Sequence, residues 1–211
     1  MKIAFIGIGN VGYAIANNLS KSGHKIWVGS NDGMSKSIQK VRQSNPVFKI
    51  TSPQEAINNA EIVFLATPFQ ANESVLKDLR FDGKTLVDCT NPVGPGLTHG
   101  LNNVKSGSEF VQDLATDAKV VKAFSIYGFE NFIDCGFPEY NVKPAMLIAG
   151  NDAGAKKQAS ELIEEMGYQV IDTGLLNQAL HLEHMTLLWV KMARVGGHHP
   201  HFVWAYLEKL A

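Results

Sequence analysis

Cysteine is scarce in this chain: Cys89 and Cys135 are the only two in 211 residues, and no short spacing joins them. That excludes a disulfide framework, a Cys-rich zinc site and a Cys-x-x-Cys redox pair, and it suits a reducing, cytoplasmic compartment. Charge of one sign is scarce too. Lys plus Arg number 19 against 20 Asp plus Glu, a formal net charge of −1, and no basic run occurs. Nucleic acid and anionic membrane are therefore not expected as partners. No apolar run reaches the roughly 18 residues of a membrane span. The apolar residues after Lys2 are broken by glycines and Asn10, which reads as the start of a domain rather than a cleaved leader. No repeat, low-complexity stretch or linker divides the chain.

Proton donors are missing from the places where many nicotinamide enzymes keep them. None of Tyr13, Tyr127, Tyr140, Tyr168 and Tyr206 is followed four residues later by Lys, which counts against a short-chain alcohol dehydrogenase. Lys191 has Val195 four positions on, where a 3-hydroxyacid dehydrogenase would offer Asn. A hydride passed between two flat rings needs no such acid, because positioning and the cofactors carry the chemistry. No catalytic side chain is assigned on this reading.

What the sequence does have begins at residue 2. Lys2-Ile3-Ala4-Phe5-Ile6 is an apolar strand, and Gly7-Ile8-Gly9-Asn10-Val11-Gly12 follows it into an amphipathic helix. Strand, tight turn and helix are the context that the Gly-x-Gly-x-x-Gly dinucleotide fingerprint requires. Gly7 lets the chain leave the strand sharply, Gly9 lets a pyrophosphate approach the backbone, and Gly12 lets helix and strand pack closely. The free N–H groups at the helix start then face the phosphates.

Helix and strand periods alternate from there. Val11, Ile15 and Leu19 form the buried stripe of the first helix, which Gly23 ends. Strands are expected over 25–28, 47–50, 61–66, 84–88, 119–124, 145–149 and 169–171. A second helix carries Met34, Ile38 and Val41. Ser52-Pro53-Gln54-Glu55 starts a third as a capping box, and further helices cover about 70–79 and 154–166. This pattern predicts an α/β fold: a doubly wound, mainly parallel sheet of NAD(P)-binding Rossmann type over 1–174. A small helical C-terminal part over 175–211 would pack on the sheet or at a homodimer interface. Ligands of such sheets sit beyond the carboxyl ends of the strands, which places Ala66-Thr67-Pro68-Phe69, Asn91-Pro92 and Ser125-Ile126-Tyr127 around the candidate cleft.

The second strand ends in Val28-Gly29-Ser30-Asn31. The acid that usually holds the ribose 2′-hydroxyl of NAD is replaced by Ser30, which can donate to a 2′-phosphate, and Lys36 can add positive charge. This favours NADP (NADPH) and leaves NAD open.

Several segments together resemble one family. They are Val28-Gly29-Ser30, Leu86-Val87-Asp88-Cys89-Thr90-Asn91-Pro92, Val120-Val121-Lys122-Ala123-Phe124, Ile148-Ala149-Gly150-Asn151-Asp152, and Gly167-Tyr168 through Asp172-Thr173-Gly174. The chain resembles, over nearly its whole length, the NADP oxidoreductases dependent on coenzyme F420. It is also similar to the reductase domain of the six-transmembrane metalloreductases. The resemblance implies a Rossmann domain, NADPH, a flavin or deazaflavin partner and a dimer. It implies that Gly9 to Gly12 hold the pyrophosphate, Ser30 and Asn31 the 2′-phosphate, and Thr67-Pro68-Phe69 with Ala123-Phe124-Ser125 the nicotinamide. Asn31 stands where the family often has Arg. Gln70-Ala71-Asn72 offers no His where many relatives have one, so FMN and FAD stand beside coenzyme F420 as the second ring cofactor.

The candidate cofactor-binding set is Gly7, Ile8, Gly9, Asn10, Val11, Gly12, Ser30, Asn31, Lys36, Ala66, Thr67, Pro68, Phe69, Asn91, Pro92, Ala123, Phe124 and Ser125. No metal is expected: His198, His199 and His201, with His181 and His184 upstream, lack a completing carboxylate or thiol. Cys89 reads as a small buried hydrophobe, and Lys122 as a lysine at the sheet end or a paired one, not catalytic. The expected function is NADP(H)-dependent hydride transfer to a flavin or deazaflavin acting as a small-molecule redox partner. A redox-sensing binding module and a small-molecule dehydrogenase are the alternatives.

Overall fold

A computed structural model describes residues 1–209. The expected helical end of the chain includes residues 210 and 211, which lie outside the described residues. Strands are β1 (Lys2–Ile6), β2 (Lys25–Gly29), β3 (Lys49–Thr51), β4 (Ile62–Leu65), β5 (Thr85–Asp88), a two-residue hairpin pair β6 (Val93–Gly94) and β7 (Thr98–His99), β8 (Lys119–Lys122), β9 (Ala145–Gly150) and β10 (Gln169–Asp172). Helices are α1 (Asn10–Lys21), α2 (Lys36–Ser44), α3 (Pro53–Asn59), α4 (Asn72–Leu76), α5 (Gly107–Leu114), α6 (Glu130–Ile133), α7 (Ala153–Glu165) and α8 (Ala179–Arg194).

Eight strands form one sheet in the order β10-β9-β8-β5-β4-β1-β2-β3. All neighbours are parallel except β8 and β9. The chain builds outward from β1 through β2 to β3, then returns to place β4 on the other side of β1. That reversal opens a crevice at the carboxyl ends of β1 and β4, where doubly wound sheets take their ligands.

Both faces of the sheet are buried, as the continuous apolar strands require. Alternate residues divide the core. Ile3, Phe5, Ile62 and Phe64 point to the face covered by α1, α7 and α8. Ala4, Ile6, Val63 and Leu65 point to the face covered by α3, α4 and α5. Phe5 and Phe64 stack across the β1–β4 pair at 4.8 Å between ring centroids.

Local signals set several boundaries as expected. The Ser52 hydroxyl accepts from the Glu55 N–H and Pro53 opens α3. Gly23 takes φ 91° after α1. Others differ. Met34 and Val47 are exposed, at 71% and 73%, and belong to no helix or strand. The expected helix over 70–79 shrinks to a 3₁₀ turn and the short α4.

The expected helical tail also stops early, at Arg194. Gly196 donates to the Lys191 carbonyl, Gly197 takes φ 74°, and Pro200 follows, so three consecutive signals end the helix. Residues 195–209 form no regular element and fold back onto their own sheet. The Trp204 carbonyl accepts from Ala145 N–H at 2.8 Å. Tyr127 Oη donates to the Ala145 carbonyl at 2.5 Å and accepts from Trp204 N–H at 3.0 Å. Trp189 stacks on Phe202 at 5.4 Å and donates to its carbonyl at 3.1 Å.

Candidate functional site

The fingerprint turn is built as its three glycines require, and the three serve different ends. Gly7 has φ 93°, and a Cβ there would lie 2.6 Å from the Ala66 carbonyl carbon and the Thr67 nitrogen. A Cβ on Gly12 would lie 2.5 Å from the Gly7 carbonyl oxygen. Those two are needed by the fold itself. Gly9 has an ordinary φ of −69° and nothing within 4 Å of a built Cβ. Its space opens outward, beside the first N–H groups of α1. No side chain caps α1 and no acidic residue occupies its first turn, so the positive end of the helix is left for an anion from outside. This arrangement fits a dinucleotide pyrophosphate. Gly9 and Asn10 are exposed and Gly7 and Val11 half-buried, whereas Ile8 turns inward into the core.

On the β2 side, the Ser30 hydroxyl accepts from Asp32 N–H at 3.2 Å and lies 3.0 Å from the Asp32 carbonyl. The Asp32 carboxylate bends back onto Met34 N–H at 2.9 Å. Asn31 and Lys36 are exposed beside this turn. One positive group escaped the sequence reading. Arg42, in the last turn of α2, reaches back to donate to the Gly33 carbonyl at 2.8 Å. Helical side chains point toward the helix start, so an arginine nine residues along the chain comes to the loop that holds Ser30.

On the other side of β1, Ala66, Thr67 and Phe69 are half-buried and Pro68 is exposed. Asn91 is half-buried; its Nδ2 donates to the Ser125 carbonyl at 3.3 Å. Phe69, Gln70, Pro92, Val93 and Phe110 border a cavity of about 340 Å³. The cleft expected from the sequence is thus assembled in part. Ala123, Phe124 and Ser125 lie in the interior below the edge, at 0–1% exposure, where the Ser125 carbonyl meets Asn91. Phe124 takes a left-handed backbone, φ 53°, and turns its ring into the core against Phe64 and Phe132 at 5.8 and 5.7 Å. Pro92 is buried too. The Ser125 hydroxyl is buried and without a partner among the described residues.

Beneath the edge lies a sealed charge cluster. Asp88 Oδ1 accepts from Thr90 N–H at 2.9 Å and Thr90 Oγ1 at 2.7 Å, and Oδ2 accepts from Ser108 Oγ at 2.6 Å. Lys122 Nζ lies 3.5 Å from Asp88 Oδ2 and 3.1 Å from Glu183 Oε1, and also donates to the Thr90 carbonyl. Glu183 Oε2 accepts from His99 Nε2 at 2.8 Å and from Gly107 N–H at 3.0 Å, so it also caps the start of α5. These charged side chains are 0–1% exposed. Burial pushes the Lys122 amine down, but Asp88 and Glu183 outweigh it and hold the amine above its ordinary value.

Lys122 is therefore paired, as its place in the sequence suggested. Its partners Glu183 and His99 carried no local signal. Burial, with Asp88 beside it, raises the Cys89 thiol well above its usual range and disfavours the thiolate. His181 and His184 are exposed, and among the described residues no three His, Cys, Asp or Glu side chains are grouped to hold a metal ion. No helix among them is long and apolar enough to cross a membrane.

Comparison with known proteins agrees with this geometry. Residues 2–92 match the family described as NADP oxidoreductase coenzyme F420-dependent. A candidate F420-dependent NADP reductase of known structure from Arthrobacter superposes with a TM-score of 0.82 at 26% identity, covering 95% of this chain and 96% of that one. The rat metalloreductase STEAP3 is 29% identical over 88% of this chain and 36% of its own. A ketol-acid reductoisomerase (NADP(+)) of Leptospira biflexa is 26% identical over 99% of this chain and 59% of its own. The chain thus spans between a third and three fifths of these two curated relatives. The resemblance read from the sequence stands, and the chain's relatives are NADP-dependent oxidoreductases.

Proposed function

We propose that this chain binds NADPH along the carboxyl edge of β1, β2 and β4 and passes its hydride to a flat ring acceptor, a flavin or a deazaflavin. One observation carries the reading. The residues placed around the nicotinamide half, Thr67, Pro68, Phe69 and Asn91, are themselves neither acid nor base, and Asp88, Lys122 and Glu183 are sealed beneath the edge at 0–1% exposure, which leaves Glu73 as the exposed carboxylate bordering the adjoining cavity. Reduction of a carbonyl needs a placed proton donor; ring-to-ring hydride transfer needs distance and orientation.

The N–H groups of Asn10, Val11 and Gly12 hold the pyrophosphate. Ser30, Lys36 and Arg42 receive the 2′-phosphate, and Thr67, Pro68 and Phe69 border the nicotinamide half. When bound, NADPH supplies the hydride. The chain's part is to orient the rings and exclude water.

Anaerobic stopped-flow mixing of the protein and NADPH with FMN, FAD and a deazaflavin tests the proposal. Reduction of one of these rings is expected. Reduction of a ketone or imine with every ring left oxidised would overturn it in favour of a small-molecule dehydrogenase. Tight binding without any turnover would favour a redox-sensing module.

Preference for NADPH over NADH follows from the same loop. Ser30→Asp is expected to weaken NADPH by about 1–3 kcal/mol through loss of a charge-assisted bond, and to leave NADH no weaker, because a carboxylate there can accept from the ribose 2′-hydroxyl. Calorimetric titration of both cofactors reads this out, and an equal loss for the two would remove Ser30 from the 2′-phosphate site.

A further inference from the structure

We infer that Thr67 meets its ligand only as a hydrogen-bond acceptor, and so selects the nicotinamide half of the dinucleotide by a donor that half carries. The inference rests on the cofactor reading above and adds to it the polarity of one contact.

The polarity comes from the sealed carboxylate of Asp88. A carboxylate paired with a lysine is an acceptor on both oxygens. Thr90 Oγ1 lies 2.7 Å from Asp88 Oδ1, so the single hydroxyl proton of Thr90 is spent there. Thr90 Oγ1 can then only accept from Asn72, 3.1 Å away. That fixes the Asn72 amide with its NH₂ toward Thr90 and its carbonyl toward Thr67. Asn72 Oδ1 lies 2.7 Å from Thr67 Oγ1, and a carbonyl only accepts, so the one proton of Thr67 is spent as well. Each donor in the chain Thr67–Asn72–Thr90–Asp88 points inward and strengthens the next. Asn72 and Thr90 are buried at 0% and 3% exposure, whereas Thr67 keeps part of its surface open. Any contact that Thr67 Oγ1 makes with a ligand therefore uses its lone pairs alone.

Sheet order says which part of the ligand meets it. Ser30, Lys36 and Arg42 lie beyond β2, on one side of β1, and the anion-binding helix start lies at β1 itself. Thr67 follows β4, on the other side, and its nitrogen touches the Gly7 turn. A dinucleotide with its adenosine phosphate at Ser30 and its pyrophosphate at Gly9 brings its nicotinamide riboside to Thr67. That half offers two kinds of donor, the carboxamide NH₂ and the two ribose hydroxyls.

The test compares whole and half ligands. Calorimetry measures NADPH and adenosine 2′,5′-bisphosphate, which lacks the nicotinamide half, on the wild type, Thr67→Val and Thr67→Ser. Loss of one neutral hydrogen bond predicts that Thr67→Val binds NADPH about three- to tenfold more weakly. The half ligand should bind all three proteins alike, and Thr67→Ser should keep the wild-type affinity. Two analogues on the wild type then separate the donors and need no variant to fold. Weaker binding of the reduced 3-acetylpyridine analogue assigns the carboxamide. Weaker binding of an analogue deoxygenated at the nicotinamide ribose assigns the hydroxyl. The inference is overturned if Thr67→Val binds NADPH like the wild type, if it loses both ligands equally, or if neither analogue is weakened. Failure of the wild type to bind NADPH at all would instead overturn the cofactor reading beneath it.

Discussion

Gly9→Val is expected to lose NADPH by about a hundredfold or more while the chain stays folded. The Cβ of residue 9 meets nothing within 4 Å and the backbone there is unstrained, φ −69°. The branched side chain therefore enters only the space of the pyrophosphate. Displacing two charge-assisted hydrogen bonds at roughly 1.5–3 kcal/mol each accounts for the factor. The fold loses only the modest difference between glycine and valine as a helix N-cap, on the order of 1 kcal/mol. Gly7→Ala and Gly12→Ala are the contrasting pair. Their Cβ atoms would press on backbone at 2.6 and 2.5 Å, so both should lower the urea midpoint as well as binding. Circular dichroism, urea unfolding and calorimetry on the three variants separate the roles. Retained NADPH affinity in a folded Gly9→Val protein would remove the pyrophosphate from this turn.

The second large effect concerns stability. Lys122→Met should cost about 3–5 kcal/mol, because it strands Asp88 and Glu183 as unpaired buried charges. An apolar replacement of all three would not restore the loss. The N–H groups of Gly107 and Ser108, the His99 ring and the Thr90 side chain all depend on those carboxylates. The pH dependence has a definite sign. Lys122 is raised above 10.5 in the fold, its burial outweighed by Asp88 and Glu183. Its contribution is therefore complete below about pH 10.5 and lost as pH climbs through the folded value. Tyr127 and Tyr168, raised above 10.0 chiefly by burial, act in the same direction. Urea midpoints should fall at alkaline pH, and less steeply for Lys122→Met. A variant as stable as the wild type at pH 7 would show that the cluster is not what closes the interior.

Much of this fold was legible in the sequence because its signals are local. Apolar runs ending in small or polar turns mark β1, β2, β4, β5 and β8. Glycine spacing marks the start of α1, and Ser52-Pro53 marks the start of α3. The Ser106-Gly107-Ser108-Glu109 capping box that opens α5 is as local as these, and could have been read by the same rule. Other features depend on the assembled chain. Asp88, His99, Lys122 and Glu183 meet from four separate elements, and Arg42 reaches Ser30's loop only after α2 has formed. The reversal of β9 beside β8 has no counterpart in hydrophobic period, since buried strands of either direction read alike. Ala123 and Ser125 sit in a motif that points to the nicotinamide, yet the turn at Phe124 draws them inside.

The junction at Glu183 has a bearing on how the chain reaches this state. Asp88 and Lys122 are laid down long before α8, which holds the second counter-charge and the cap for α5. Until residue 183 docks, two elements of the sheet carry polar groups with no finished partner, and water must stay among them. Glu183 lies 61 residues beyond Lys122 and 84 beyond His99, so these contacts wait on the last helix. The start of α5 and the charge cluster beside it therefore cannot set before α8 docks. Pulse-labelled hydrogen exchange during refolding would show this as late protection of the Gly107 and Ser108 amides, well behind those of β1 and β4.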